Sequence, residues 1–377
     1  MIIPDRWTAV AASGIVFGLL ITVGCTEQGQ TSDTAQFELT EILRIGDEAQ
    51  EDTIFFSWIT GLDVHADGRI IVADRETAVY AFSDAGHLIR VIGENGKGPG
   101  EFESIDGVSV GPGDSLFVLD SDLSRLSAFE PETHQLAYTV PVVGNSRSEP
   151  WELLGVTDAG FLIEYSSAFW APGSGEGLGL DEERRAIVNL VNKRGAIVKD
   201  SVMSLPDHER IVNASGGGIS VASMPFGRTY SYDVGADGLL YSGWSDAIDI
   251  AMSTAKGRAE GTIRRNHEAV PVTQEDIDVY LADVSDFGKQ MIASADLPKT
   301  MPAYETFTVD DQGRVWVKGY STKDAPTTTW SVLSKEGAVV AEAVLPANVT
   351  LKVIKSDRAY GRDSDLECII VYDIGEF

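Results

Sequence analysis

The chain has 377 residues, with 58 acidic against 29 basic side chains and a formal net charge of −29. A surface of that sign repels phosphate backbones and anionic lipid headgroups, which excludes a nucleic-acid partner as a working reading and leaves membrane attachment to the N-terminus alone. The hydrophobic content, 43%, is that of a chain that buries a core and does not stay disordered.

Residues 8–23, TAVAASGIVFGLLITV, form an uncharged apolar stretch just after Arg6. The stretch has the size of a signal-peptide h-region and is short for a spanning helix, which needs about 20 apolar residues. It runs into GCTEQGQTSDTAQ, a small-residue site followed by a polar tether. TVGC, ending at Cys25, resembles the bacterial lipoprotein signal, in which the cysteine becomes the lipidated first residue. The resemblance implies a signal peptide over 1–24, lipidation of Cys25 and a flexible tether over 25–36. The product would be an exported protein held by its lipid at the outer membrane or at the periplasmic side of the inner membrane. An uncleaved anchor and plain secretion are the alternatives. Cys368, the only other cysteine, sits in the strand-like run LECIIVYDI and reads as a small buried hydrophobe.

FELTEILRIGD (37–47) is a strand with no partner of its own nearby. After it, GLDVHADGRIIVADRETAVYAFSDAGHLIRVIG, starting at Gly61, aligns with GVSVGPGDSLFVLDSDLSRLSAFEPETHQLAYTV, starting at Gly107. Each copy reads as four short strands. A turn bearing Gly68 or Gly113 leads into a second strand ending at Asp74 or Asp120, and a third strand ends at Phe82 or Phe129. Between the copies lies GENGKGPGEF (93–102). It lacks the four-residue spacer of a phosphate loop, the Ser/Thr after lysine and a following helix. It reads as a tight crossover in which glycines supply positive φ, Pro99 adds stiffness and Phe102 plugs between repeats.

Weaker copies continue the pattern: LLGVTDAGFLIEYS with AIVNLVNKRGAIVKDSV, YSYDVGADGLLYSGW with AIDIAMSTAKGRAEGTIRR, and FTVDDQGRVWVKGYS with TWSVLSKEGAVVAEAVL. The last, TLKVIKSDRAYGRDSDLECIIVYDI, has no fourth strand, and the spare strand at 37–47 can complete it. The expected fold is therefore all-β: a six-bladed β-propeller over 37–377, built of four-stranded antiparallel blades. One short helical insertion is expected between blades four and five. VIGENGKGPGEF followed by LFVLDSDLSRLSAFEP resembles the NHL-repeat propellers, and in particular the six-bladed propeller lipoproteins of bacterial envelopes.

Strands alternate direction within a blade. The second-to-third-strand loops and the inter-blade connections therefore share one face, and the tight HADGR, GADGL and DDQGR turns lie on the other. Every long departure from the repeat falls on the first face: 167–184, 205–227 and 266–303. In the last, Thr273 can cap a helix, with Ile277, Val284, Phe287 and Met291 at helical spacing; a lid on the propeller and a partner-docking helix are the two readings. Elaborated loops on a rigid scaffold are where binding tends to sit. The candidate residues on that face are Asp74, Arg75 and Glu76 in blade one, and Asp120, Asp122 and Arg125 in blade two. Phe169 and Trp170 follow in blade three, Trp244 and Asp246 in blade four, and Tyr320 and Lys323 in blade five. Such a ring suits a polar small-molecule ligand, a peptide or a protein partner. Asp74 and Asp120 can instead close their own loops by hydrogen bonds to backbone.

His65, His87, His134, His208 and His267 are dispersed, without HExxH or a ligand pair, and no GxSxG is present. The first three fall in or beside tight turns of the opposite face, where solvent exposure is expected. Six-bladed propellers include calcium- or zinc-dependent lactonases and lyases with the metal at the channel mouth, but no matching ligand set can be placed here residue by residue. The expectation is a binding or interaction module without a cofactor. A metal-dependent hydrolase or lyase, for which Ca²⁺ is the ion left open, and a structural or sensory envelope subunit are the alternatives.

Overall fold

Two short strands, β1 (Ala35–Gln36) and β2 (Thr40–Ile45), precede the first repeat. The repeats then fold as the alternation dictates. Blade one is the antiparallel meander β3 (Ile59–Val64), β4 (Ile70–Asp74), β5 (Val79–Phe82) and β6 (Leu88–Ile92). Blade two is β7 (Val108–Val110), β8 (Leu116–Asp120), β9 (Arg125–Phe129) and β10 (Leu136–Pro141); blade three is β11 (Ser148–Thr157), β12 (Gly160–Ser167), β13 (Arg185–Val191) and β14 (Ile197–Pro206). A hairpin, β15 (Arg210–Ser215) and β16 (Gly218–Ser223), leads to blade four: β17 (Tyr230–Val234), β18 (Leu239–Trp244), β19 (Ile248–Thr254) and β20 (Ala259–Arg265). Helices α1 (Gln274–Ala282) and α2 (Asp286–Ala293) lead to blade five, β21 (Thr306–Val309), β22 (Val315–Lys318), β23 (Thr327–Leu333) and β24 (Val339–Pro346). Blade six is β25 (Val349–Lys355), β26 (Arg358–Asp363) and β27 (Cys368–Asp373). This computed structural model describes residues 35–47, 54–75, 78–144, 148–167, 184–215 and 218–375.

The spare strand closes the ring. β2 pairs antiparallel with β27, Leu43 opposite Val371 and Arg44 opposite Ile370, and so becomes the outer strand of blade six. The inner strands touch in the order β3, β7, β11, β17, β21, β25 and back to β3. β1 adds to the outer edge of blade five, parallel to β24, and covers part of an edge that would otherwise be open.

Burial follows from this geometry. The second strands IIVAD and LFVLD are buried at every residue, because a neighbouring blade packs on each face, whereas the outer LIRVI of β6 is exposed over four of its five residues. The apolar cores sit in the seams between blades. In the first seam Ile71, Val79 and Ala81 meet Phe102, Val108 and Leu116; in the seam between blades five and six Trp316 and Trp330 meet Leu351 and Ile370. Phe102, 3% exposed, is the plug at the GENGKGPGEF corner. Gly93 there has φ +80°, and a Cβ on it would lie 2.3 Å from the Phe102 ring. The Arg125 guanidinium donates to the carbonyls of Lys97 (3.3 Å) and Glu101 (2.5 Å), so this arginine anchors the corner.

The helical insertion is two helices. Thr273 caps the first helix as expected, in a capping box with Asp276, but Ser285 caps a second helix through the Gly288 N–H and divides the segment. The hairpin was not anticipated from the sequence. Its Ile211 packs with Met291 and Ile292 of α2, with Tyr280, Leu281 and Val284 against them. Arg228 donates to Thr300 O (2.9 Å) and Thr300 Oγ1 (2.6 Å), tying the base of one insertion to the base of the other. The two insertions flanking blade four thus form one cap with its own small core.

Candidate functional site

The inner strands enclose a central channel with a cavity of about 880 Å³, to which all six blades contribute. Its mouth on the insertion-bearing face is built where inner strands begin and second strands end. Trp58, just before β3, and Trp151, in β11, both line it, and they are 55% and 52% exposed. Each residue is about half uncovered, in a chain whose Trp316 and Trp330 are wholly buried. Arg75, the residue after β4, lies over Trp58 with its guanidinium carbon 5.5 Å from the ring centroid. The same guanidinium donates to Asp106 Oδ1 at 3.1 Å. Asp106 is fixed in turn by Ser121, whose N–H (3.0 Å) and hydroxyl (2.6 Å) both donate to Oδ2. The mouth therefore offers two flat apolar plates beside a braced ion pair.

Deeper in the channel the wall is acidic. The motif DVxADG occurs twice, at 63–68 and 233–238, in blades one and four, which face each other across a six-membered ring. Asp63 Oδ2 accepts from the Val110 N–H of blade two (2.7 Å). Asp233 Oδ2 accepts from the Val309 N–H (2.7 Å) and the Thr308 hydroxyl (2.7 Å) of blade five. Each carboxylate staples its inner strand to the next, where no sheet ladder exists. Burial pushes the Asp63 carboxyl up to about 6 and raises Asp233 as well. Glu152, also on the wall, accepts from the Tyr232 hydroxyl (2.6 Å), and its carboxyl too is raised by burial. Its cross-strand partner Glu164, 2% exposed, accepts from Tyr230 (2.7 Å) and is pushed up to about 7 by burial. The Lys352 ammonium, exposed on the channel wall, pulls Glu152 and Asp233 back toward ionisation and makes no ion pair among the described residues.

The candidates read from sequence divide. Asp74 is fully buried, and its carboxylate accepts from the Ser57 N–H (2.8 Å), the Ser57 hydroxyl (2.7 Å) and the Trp58 N–H (3.3 Å). Asp120, equally buried, accepts from the N–H groups of Glu103 (2.8 Å) and Leu123 (2.9 Å). Both carboxylates are consumed in closing loops, and Arg125 in holding the corner. Among the described candidates Arg75 alone reaches the channel. Asp122 and Asp246 are exposed and Trp244 is half-buried beside the cap. Tyr320 lines a second cavity, about 850 Å³, between blades four and five, while Lys323 pairs with Asp283 of the helical insertion at 2.8 Å. Glu76, Phe169, Trp170 and Cys25 lie outside the described residues. Trp58, Trp151 and Asp106 do not stand in the second-to-third-strand loops where the sequence candidates lie: Trp58 and Asp106 come just before inner strands, and Trp151 is in the first half of one. The repeated DVxADG was a signal that could have located Asp63 and Asp233.

Two histidines are corrected. His65 and His134 are 0% and 5% exposed, not at the surface, because the turns carrying them pack across the seam between blades one and two. His208 meets Thr229 and the Tyr230 ring. Among the described residues no three His, Cys, Asp or Glu side chains gather around a common point that could hold a metal ion.

This geometry defines a six-bladed propeller with an open, aromatic-rimmed channel mouth. A family described as "6-bladed beta-propeller" matches residues 50–142, which take in blades one and two. No curated protein matches the chain by sequence. Among solved structures, a putative exported protein from Bacteroides fragilis is similar at 10% identity and TM-score 0.51, over 90% of this chain and 99% of that one. A gluconolactonase from Xanthomonas campestris is similar at 12% identity and TM-score 0.44, over 89% and 98%. BamB from Moraxella catarrhalis is similar at 15% identity and TM-score 0.41, over 89% and 99%. At these identities the likeness is one of fold.

Proposed function

We propose that this chain is a binding module that takes a polar organic ligand with a flat apolar face, or an extended peptide carrying one, at the channel mouth on its insertion-bearing face. The observation that carries the reading is the pair of half-uncovered tryptophans, Trp58 and Trp151, on the rim of a cavity large enough for such a ligand. Tryptophan and arginine are the residues that most often dominate binding energy, because they bring large rigid area together with a polar handle. Here Arg75 and Asp106 supply donors and acceptors beside the plates. Calorimetric titration of the full chain with a panel of oligosaccharides and extended peptides tests this. Trp58→Ala and Trp151→Ala should each weaken a bound member at least tenfold. A panel without a binder, or a binder indifferent to both substitutions, overturns the reading.

The module is further proposed to be exported and held at the cell envelope by lipid on Cys25, from the TVGC signal and the polar tether after it. Cys25→Ser should move the protein from the membrane fraction to the soluble one; an unchanged membrane fraction would reject the lipid anchor.

A further inference from the structure

On the face opposite the insertions, five side chains that can carry charge meet around two buried imidazoles. His65 follows β3 in blade one and His134 lies in the turn between β9 and β10 of blade two. Their Nε2 atoms are 3.4 Å apart and their ring centroids 5.5 Å apart. Arg69 lies beside them, its Nη1 3.4 Å from His134 Nε2, held by Asp67 (2.7 Å) and by the Pro131 carbonyl (2.9 Å). Asp114 stands behind, with Oδ2 3.2 Å from His65 Nδ1 and Oδ1 accepting from the Ala66 N–H at 2.9 Å.

The contacts with Arg69 and Asp114 favour one placement of the protons. A guanidinium only donates, so His134 Nε2 must present a bare lone pair to Arg69. His65 Nε2 must then carry a hydrogen to face that lone pair. The remaining His65 Nδ1 is buried without a hydrogen bond, beside Asp114. A first added proton fits on this Nδ1 and turns the contact with Asp114 into an ion pair. A second has only His134 Nε2 to occupy, where its N–H would point at the N–H groups of both His65 and Arg69. We propose that this cluster is an acid-opened latch across the seam between blades one and two, closed while His134 is neutral and released when it takes a proton.

Every charged group facing His134 bears on the latch. Burial, His65, Arg69 and Arg90 hold its imidazole down to about 4, against a weaker opposing pull from Asp67. His65 is lowered as well, by burial and Arg69, and partly restored by Asp114. In the open form the His134 imidazole returns to its ordinary value near 6.5. The latch therefore contributes fully above about pH 6.5 and is lost as pH falls toward 4.

The test is hydrogen exchange of the full chain, resolved to the turns 65–69 and 130–135 and corrected for intrinsic rates. Between pH 7 and pH 5 the opening constant of both turns should rise about tenfold or more in the wild type. The same rise is expected in His87→Asn, whose histidine is exposed. His134→Asn should flatten it; asparagine suits the left-handed backbone at this position, φ +49°. Arg69→Gln keeps both imidazoles and should reduce the rise by removing one cation. A flat wild type, a rise that persists in His134→Asn, or a rise undiminished in Arg69→Gln overturns the latch. Zn²⁺ that protects these turns at pH 7.5 in the wild type and not in His65→Asn would assign the facing nitrogens to a metal and overturn it equally.

Discussion

Replacing Asp74 separates a loop anchor from a ligand contact. Its carboxylate takes two short hydrogen bonds from Ser57 and a longer one from the Trp58 N–H, inside a fully buried pocket. Hydrogen bonds to a charged group contribute about 1.5–3 kcal/mol each, and donors left buried without a partner add their desolvation cost. Counting the two short bonds, Asp74→Ala should destabilise the protein by about 3–6 kcal/mol. Asp74→Asn preserves the shape but cannot satisfy every donor at once, because its amide nitrogen must face either the Ser57 N–H or the Trp58 N–H, neither of which can accept; about 2–4 kcal/mol is expected. Against a total stability of order 5–15 kcal/mol, both are large. Urea unfolding followed by far-UV circular dichroism measures them. The loss should spread to the channel mouth, because the Arg75 N–H donates to the Trp58 carbonyl at 3.0 Å and the Arg75 side chain covers the Trp58 ring. A variant with unchanged unfolding midpoint and weakened ligand binding would refute the anchor argument and return Asp74 to the list of contacts.

Phe102→Ala empties the plug in the first seam and should cost about 3–5 kcal/mol in the same urea assay. Removing residues through 47 takes away β2 and leaves the β27 edge unpaired, so cooperative thermal unfolding should be replaced by a broad transition or by aggregation. Glu164 titrates opposite in sign to the histidine latch. Its folded value, about 7, lies above the ordinary carboxyl range, so its contribution is present at low pH and lost as pH rises through 7. Stability of Glu164→Gln relative to wild type should therefore climb by about 2 kcal/mol between pH 5 and pH 8, read from paired urea curves. A constant difference across that range would show that Glu164 is already ionised at pH 5.

Much of the fold was legible because it repeats. Gly61 and Gly107 open two copies whose second strands end at Asp74 and Asp120, and β4 and β8 end at those residues. Alternation, turn glycines and a strand left over at 37–47 suffice to count the blades and to close the ring, since pairing that strand with the last repeat buries the remaining edge. The capping box at Thr273 was equally readable, being a local interaction over four residues. The hairpin β15–β16 was not, because its apolar face is completed by α2 from a distant insertion and makes no local pattern with it.

Composition, turn chemistry and repeat spacing, all local in the chain, thus determined the architecture, the face that carries the insertions and the role of GENGKGPGEF as a corner. Which side chains line the channel was decided only when six inner strands came together. Trp58 and Trp151 are ordinary aromatics in the sequence and become a rim only because their blades bend toward one axis. His65 and His134 sit in turns that sequence reading sends to the surface. Packing of one blade's turn against the next blade's buries both and sets their nitrogens face to face, a relation between distant segments that no local pattern encodes.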